Sequence, residues 1–178
     1  MALDPAIGWT VVLVLAGVFG AAALAKLRAL DAFVGVVHNY RLVPEPLERP
    51  IAYGLPVVEL AIAVGVLAPA TRAPAAFAAA IVLALFAGAM AINLGRGRRD
   101  IDCGCFATVL RQRLSWPLVL RNLLLAALAL LVVPGLGVRS LGWLDFVTIG
   151  CASMALVLVY AAASRLFGSG PRPQPARG

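Results

Sequence analysis

Residues 75–106 read AAFAAAIVLALFAGAMAINLGRGRRDIDCGCF. From Ala75 to Leu94 no residue carries a charge. About twenty such residues, coiled as an α-helix, cross the ~30 Å hydrocarbon core of a bilayer. The composition then inverts. Arg96, Arg98, Arg99, Asp100 and Asp102 crowd together, and Asp100–Phe106 holds two of the three cysteines, Cys103 and Cys105. An apolar run broken abruptly by a charged, cysteine-bearing connection predicts an all-α fold, a polytopic transmembrane helical bundle.

Working outward, similar runs lie at about 7–25, 51–68, 117–133 and 144–163, which with 75–94 makes four core spans plus a fifth. The chain of 178 residues is 62% hydrophobic and only 13% charged, with a mean hydropathy of +0.97. Soluble domains are about 45–50% apolar, so this chain has too little polar surface to cover a water-soluble globule. Residues 1–167 are read as one transmembrane helical domain. Residues 168–178, rich in Pro, Gly and Arg, are expected to form a disordered tail. Ala21–Ala25 resembles a signal-peptidase site, but the segment before it carries Asp4 and no Lys or Arg, so a retained helix is expected. Gly88 and Ala91 are expected to let helices approach closely. Leu30, Phe33, Val34, Val37 and Tyr40 recur at helical spacing, as in an amphipathic segment lying along the membrane, which the prolines at 44, 46 and 50 are expected to end.

The net charge of +7 follows topology rather than nucleic acid. Thirteen of the fifteen Lys and Arg fall in alternate connections: four in 26–50, five in 95–116, Arg121, and three from Arg165 onward. Only Arg72 and Arg139 lie on the other side. The positive-inside rule then puts the N-terminus outside and the cysteine loop at the cytoplasmic face. The expected partner of the surface is the lipid bilayer, and no nucleic acid is expected.

Cys103 and Cys105 are the leading candidates for chemistry. Residues two apart can bring their Cα atoms within disulfide range in a bent backbone, and Gly104 relaxes the bend. So small a ring is strained and easily reduced, which suits exchange. The neighbouring arginines favour thiolate, while Asp100 and Asp102 oppose it. A soft-metal half-site and an inert pair are the rival readings; no zinc pattern is present. Cys151 reads as a small buried hydrophobe. Glu59 lies in the middle of the second run, where a carboxylate is costly and marks a functional candidate, here a proton relay, or else a paired acid holding helices together. Lys26, Asn93, Arg121 and Asn122 lie at the same membrane end and are its candidate partners; Lys26 or Arg121 is expected to hold its charge. His38 is read as solvated rather than as a ligand, and Tyr40 and Tyr53 as interfacial anchors.

These residues carry a family resemblance. Ala25-Lys26-Leu27, Phe33, Tyr40, Leu55-Pro56 with Glu59, Gly95-Arg96-Gly97, Asp102-Cys103-Gly104-Cys105-Phe106 and Arg121-Asn122 resemble the methylamine-utilisation MauE family, part of the MauE/DoxX group of redox-associated membrane proteins. The resemblance covers about residues 19–125. It implies a membrane protein tied to thiol–disulfide chemistry and to maturation of methylamine dehydrogenase, whose small subunit is disulfide-rich and periplasmic. It also implies a thioredoxin-like partner and a disulfide-containing client. Ala107 stands where the family pattern usually has glycine after Phe106. Asp102, Gly104, Phe106, Arg121 and Asn122 are expected to support the site together with Lys26. The pattern demands no cofactor and leaves a quinone open as electron acceptor. Two readings compete with a redox protein: a carrier of small solutes or soft metal ions, and an assembly factor whose thiols are incidental.

Overall fold

The computed structural model describes residues 3–104, 112–137 and 139–168, with side chains in the last helix to Ala163. Among these residues there are six helices: α1 Pro5–Leu27, α2 Leu30–Tyr40, α3 Glu45–Gly65, α4 Arg72–Gly95, α5 Trp116–Val132 and α6 Trp143–Gly168. The expected disordered tail beyond Gly168 lies outside the described residues. Helices α1, α4 and α6 are each long and apolar enough to cross a membrane, and α5 is a shorter apolar helix of 17 residues. The protein is therefore an all-helical, multi-pass membrane bundle.

Local chemistry explains the helix ends. The Asp4 carboxylate accepts a hydrogen bond from the Ala6 N–H at 2.9 Å, and Pro5 supplies the fixed φ of a first turn, so α1 begins there. Pro117 does the same for α5. The prolines after α2 act differently from expectation. Pro44 caps α3, and the helix runs on through Pro50 and Pro56. Pro46 falls in the first turn, where no intrahelical N–H bond is due, so the break comes at Arg41–Val43 and not at Pro50.

α1 is the centre of the bundle. It packs against α3, α5 and α6, while α4 packs along α5 and against α3. Small residues set the close approaches: Ala22 and Ala23 of α1, Ala63 of α3, Ala76, Ala79 and Ala80 of α4, and Ala126 and Ala129 of α5 are all buried. Gly88 has open space around it, so the alanines rather than Gly88 make this seam. α6 docks on α1 and barely meets α5, leaving most of its surface exposed. Cys151 is consequently exposed on α6, not buried as the sequence reading expected.

The helix ends sort to two opposite ends of the bundle. One end gathers the end of α1, α2, the start of α3, the end of α4 and the start of α5. At the other, Leu3 pairs with Leu136: the Leu3 N–H donates to the Gly135 carbonyl at 3.2 Å and the Gly137 N–H to the Leu3 carbonyl at 2.7 Å. Here too the Arg72 guanidinium lies 4.3 Å from the Trp9 ring centre, and Arg139 bridges Asp4 and Asp145.

Candidate functional site

The cysteine-loop end is built on a short backbone ladder. The Cys103 N–H donates to the Gln112 carbonyl at 2.7 Å, and the Leu114 N–H to the Ile101 carbonyl at 3.1 Å, on either side of an antiparallel bridge between Asp102 and Arg113. Tyr40, at the end of α2, donates its hydroxyl to the Cys103 carbonyl at 2.9 Å. Gly104 has φ +75°, and a Cβ there would lie 2.7 Å from Val36 Cγ1, so glycine is required on two counts. These contacts fix Cys103, whose sulfur lies 3.7 Å from the Met90 sulfur and which is only 8% exposed. Cys105, Phe106 and the pairing of the two thiols lie outside the described residues.

Cys103 and Gly104 form part of the wall of an apolar cavity of about 160 Å³. Phe33, Val36 and Tyr40 of α2, Ile51 and Leu55 of α3, and Phe86 of α4 form much of the rest. This explains the amphipathic α2: its apolar stripe faces a cavity. The arginines upstream of Cys103 are partly committed elsewhere. Arg98 donates to Asn93 Oδ1 at 3.1 Å and to the Tyr40 carbonyl at 3.5 Å, tying α2 to α4; Arg96 and Arg99 are exposed. Asp100 pairs with Arg113 at 3.3 Å on the surface, where such a pair contributes little.

Deeper in the bundle, Lys26 Nζ donates to both carboxylate oxygens of Glu59, at 2.7 and 2.8 Å. Both side chains are 1% exposed. Lys26 is therefore the cation opposite Glu59. Its ammonium also lies 5.3 Å from the Phe33 ring centre and 5.6 Å from that of Phe86. Such contacts stabilise a desolvated cation by about 2 kcal/mol or more. Asn122 and Tyr160 join the pair around a cavity of about 20 Å³, room for roughly one water. Asn122 Nδ2 is buried, and among the described residues no acceptor reaches it. Arg121 stacks on Tyr160, its guanidinium carbon 4.6 Å from the ring centre.

Phe86 borders both cavities, so the thiol and the ion pair stand on two sides of one ring. Lys26, Glu59 and Asn122 come together as the sequence allowed; Asn93 goes instead with Arg98. His38 is half exposed, with Nδ1 3.0 Å from the Glu48 carboxylate. The sequence reading missed four residues that shape the site: Tyr40 as clamp, Met90 as sulfur neighbour, Phe86 as shared wall and Tyr160 as the α6 contribution. Tyr40 was singled out only as an interfacial aromatic and a resemblance residue, whereas Phe86, Met90 and Tyr160 sit in apolar runs that mark no single position.

The fold and site define a class: a multi-pass helical membrane protein with a loop thiol held over a buried ion pair. The chain belongs to the MauE family. The family model described as methylamine utilisation protein MauE matches residues 4–135. Relatives named methylamine utilization protein MauE agree over nearly full length. That of Paracoccus denitrificans is 47% identical, covering 93% of this chain and 90% of its own. That of Paracoccus versutus is 46% identical, covering 93% and 89%. That of Methylophilus methylotrophus is 40% identical, covering 94% and 90%. No solved structure matches the chain.

Proposed function

We propose that this protein is a membrane-embedded thiol–disulfide exchange protein that supports maturation of a disulfide-containing client in methylamine utilisation, working with a thioredoxin-like partner. The observation that carries this reading is the placement of Cys103: main chain clamped by Tyr40 and Gln112, in the wall of an apolar cavity. A cavity of about 160 Å³ is the size that holds one benzene-like group. An apolar side chain beside the client's cysteine would dock there and bring its disulfide to the loop.

In the exchange, one loop thiolate attacks a client sulfur. The client S–S bond breaks, a mixed disulfide forms, and the departing client thiolate takes up a proton. The second loop thiol then attacks the mixed disulfide, closing the Cys103–Cys105 ring and releasing the second client thiolate. Two electrons pass to the client; the thioredoxin-like partner restores the loop dithiol. Lys26 and Glu59 serve from behind Phe86, Glu59 as the group that buffers the proton. Asp102, Gly104, Phe106, Arg121 and Asn122 support the loop and the pair. By charge bias the loop faces the cytoplasm, and exchange with a periplasmic client then requires that the thiols be reached from the far side of the bundle.

The test traps client redox states with an alkylating gel-shift reagent in cells carrying Cys103→Ser or Cys105→Ser. Each single variant is expected to stop client maturation, and wild-type client redox state in both would sink the exchange mechanism. An impermeant maleimide applied to intact cells and to inverted vesicles reads the orientation; Cys103 labelled from outside would reverse it. A second reading follows from the ring-sized cavity: the head of a lipid-soluble quinone fits it as electron acceptor, running the exchange toward client oxidation. Disulfide formation at Cys103–Cys105 that tracks added quinone would favour that reading.

A further inference from the structure

Exchange through a pair of thiols gives them unequal tasks: one meets the client's disulfide, and the other closes the ring. The surroundings of Cys103 suit the second task. Cys103 belongs to a buried apolar cluster with Ala87, Met90, Leu94, Ile101 and Leu118. Its thiol donates to the Met90 sulfur at 3.7 Å. The backbone cannot easily carry the sulfur outward, because the N–H is held by the Gln112 carbonyl and the C=O by the Tyr40 hydroxyl. Attack on a disulfide needs a sulfur that a second sulfur can approach, and its rate falls with access. A thiol packed among aliphatic side chains, its hydrogen directed at a thioether, is closed to a bulky protein disulfide. It is open to a neighbour two residues away. The left-handed Gly104 bends the chain there, and one rotation about χ1 lifts the sulfur off Met90.

Met90 is 1% exposed on α4, and α4 is fixed by its long packing against α5. A leucine would fill the same space but would offer the thiol no acceptor. We propose that Cys103 is the resolving thiol of the loop pair and that Met90 is the residue that positions it. The assignment rests on the exchange reading above and divides its labour. The Cys105 thiolate attacks one client sulfur; the client S–S bond breaks, and a client thiolate leaves with the electron pair. Cys103 then gives its proton to that thiolate and attacks the Cys105 sulfur. The bond from Cys105 to the client breaks, the Cys103–Cys105 bond forms, and the second client thiolate departs. Two electrons have passed from the loop to the client. Until the mixed disulfide forms, the contact with Met90 keeps Cys103 in reserve as a thiol.

The test uses oxidised glutathione as the disulfide and the reduced full chain in mild detergent, carrying Cys151→Ser throughout. Samples are quenched in acid and adducts are located by mass spectrometry. Cys103→Ser should accumulate one stable glutathione adduct on Cys105. Cys105→Ser should form its adduct on Cys103 about tenfold more slowly, since access limits the attack. The parent should pass through an adduct on Cys105 to the internal disulfide. Met90→Leu should keep the parent's melting temperature. It should move the equilibrium with glutathione about threefold toward the internal disulfide, because the dithiol has lost a hydrogen bond. Equal or faster adduct formation on Cys103 would overturn the division of roles while leaving exchange itself standing. An adduct that persists in the parent would show Cys103 to be inert and overturn it as well. An equilibrium unmoved by Met90→Leu would remove Met90 from the assignment. Unreactive thiols in both cysteine variants would sink the exchange reading together with this one.

Discussion

Splitting the buried ion pair should tune the Cys103 thiol in opposite directions. In the intact pair the charges of Lys26 and Glu59 cancel, and the loop above feels little net field. Glu59→Gln leaves a positive charge, held in place by the Phe33 and Phe86 rings. Lys26→Met leaves a negative one. The distance to the thiol can be stepped off along α4. Phe86 and Met90 lie one turn apart, about 6 Å. Lys26 Nζ is 5.6 Å from the Phe86 ring centre, and Cys103 Sγ is 3.7 Å from Met90 Sδ. Because these steps do not lie in line, charge and sulfur are on the order of 12 Å apart. A unit charge at ~12 Å, at an effective dielectric constant of about 20, changes the energy of a thiolate by about 1.4 kcal/mol, or about tenfold in thiolate fraction. The assay is the maleimide reaction rate of Cys103 in a Cys105→Ser/Cys151→Ser background, followed across pH. Glu59→Gln should raise the rate about tenfold on the acid side of its titration, and Lys26→Met should lower it by a similar factor. The double variant should return to within about twofold of the parent, since its net charge is again zero. Changes of the same sign in both single variants, or rates unmoved while the helices stay folded, would refute the electrostatic argument.

The same pair should show in stability. Either single variant leaves a buried charge without its partner, at a cost of about 3–5 kcal/mol, whereas Lys26→Met with Glu59→Leu should recover most of the loss; thermal unfolding in detergent compares the three. Gly104→Ala should cost about 1–2 kcal/mol from its left-handed backbone alone, and more from contact with Val36. Val36→Ala in the same chain should relieve the contact and leave the backbone cost. Tyr40→Phe removes the hydroxyl that binds the Cys103 carbonyl, at about 1 kcal/mol. Faster alkylation of Cys103 without loss of helix would register the loosened clamp. Gly8 lies directly against the Leu136 side chain. Gly8→Ala should therefore lower the melting temperature, and Leu136→Ala should restore it; a Gly8→Ala melt equal to wild type would show that the turn at 134–137 can shift freely.

Four of the membrane helices were legible because an uninterrupted apolar run of the right length has few other solutions. α3 was harder. Its first two turns carry Glu45, Glu48, Arg49, Pro46 and Pro50, and Pro44 precedes them, a composition that locally reads as a connection. Tertiary context decides there: Pro46 falls in a first turn, and Glu48 is buried beside His38. The ion pair was legible as a set of candidates, because an intramembrane acid requires a partner at its own depth. Choosing Lys26 among them needed the packing of α1 on α3. The clamp on Cys103 had no local signal at all. Tyr40 is 63 residues away in sequence, and at a helix end beside polar residues it reads as an interfacial aromatic. The same limit applies to Cys151: its side depends on which stripe of α6 meets α1, and an almost uniformly apolar helix does not announce its stripe.

The clasp between Leu3 and the turn at Gly135–Gly137 sets a clock on assembly. Its two halves are separated by about 130 residues of synthesis. At about 5–20 residues per second this is about 7–26 s, during which the first helix must wait unlatched. Lys26 and Glu59, only 33 residues apart, can meet far sooner. The ion-pair end of the bundle can thus be secured early in translation, and the opposite end closes only after the fifth helix has been made.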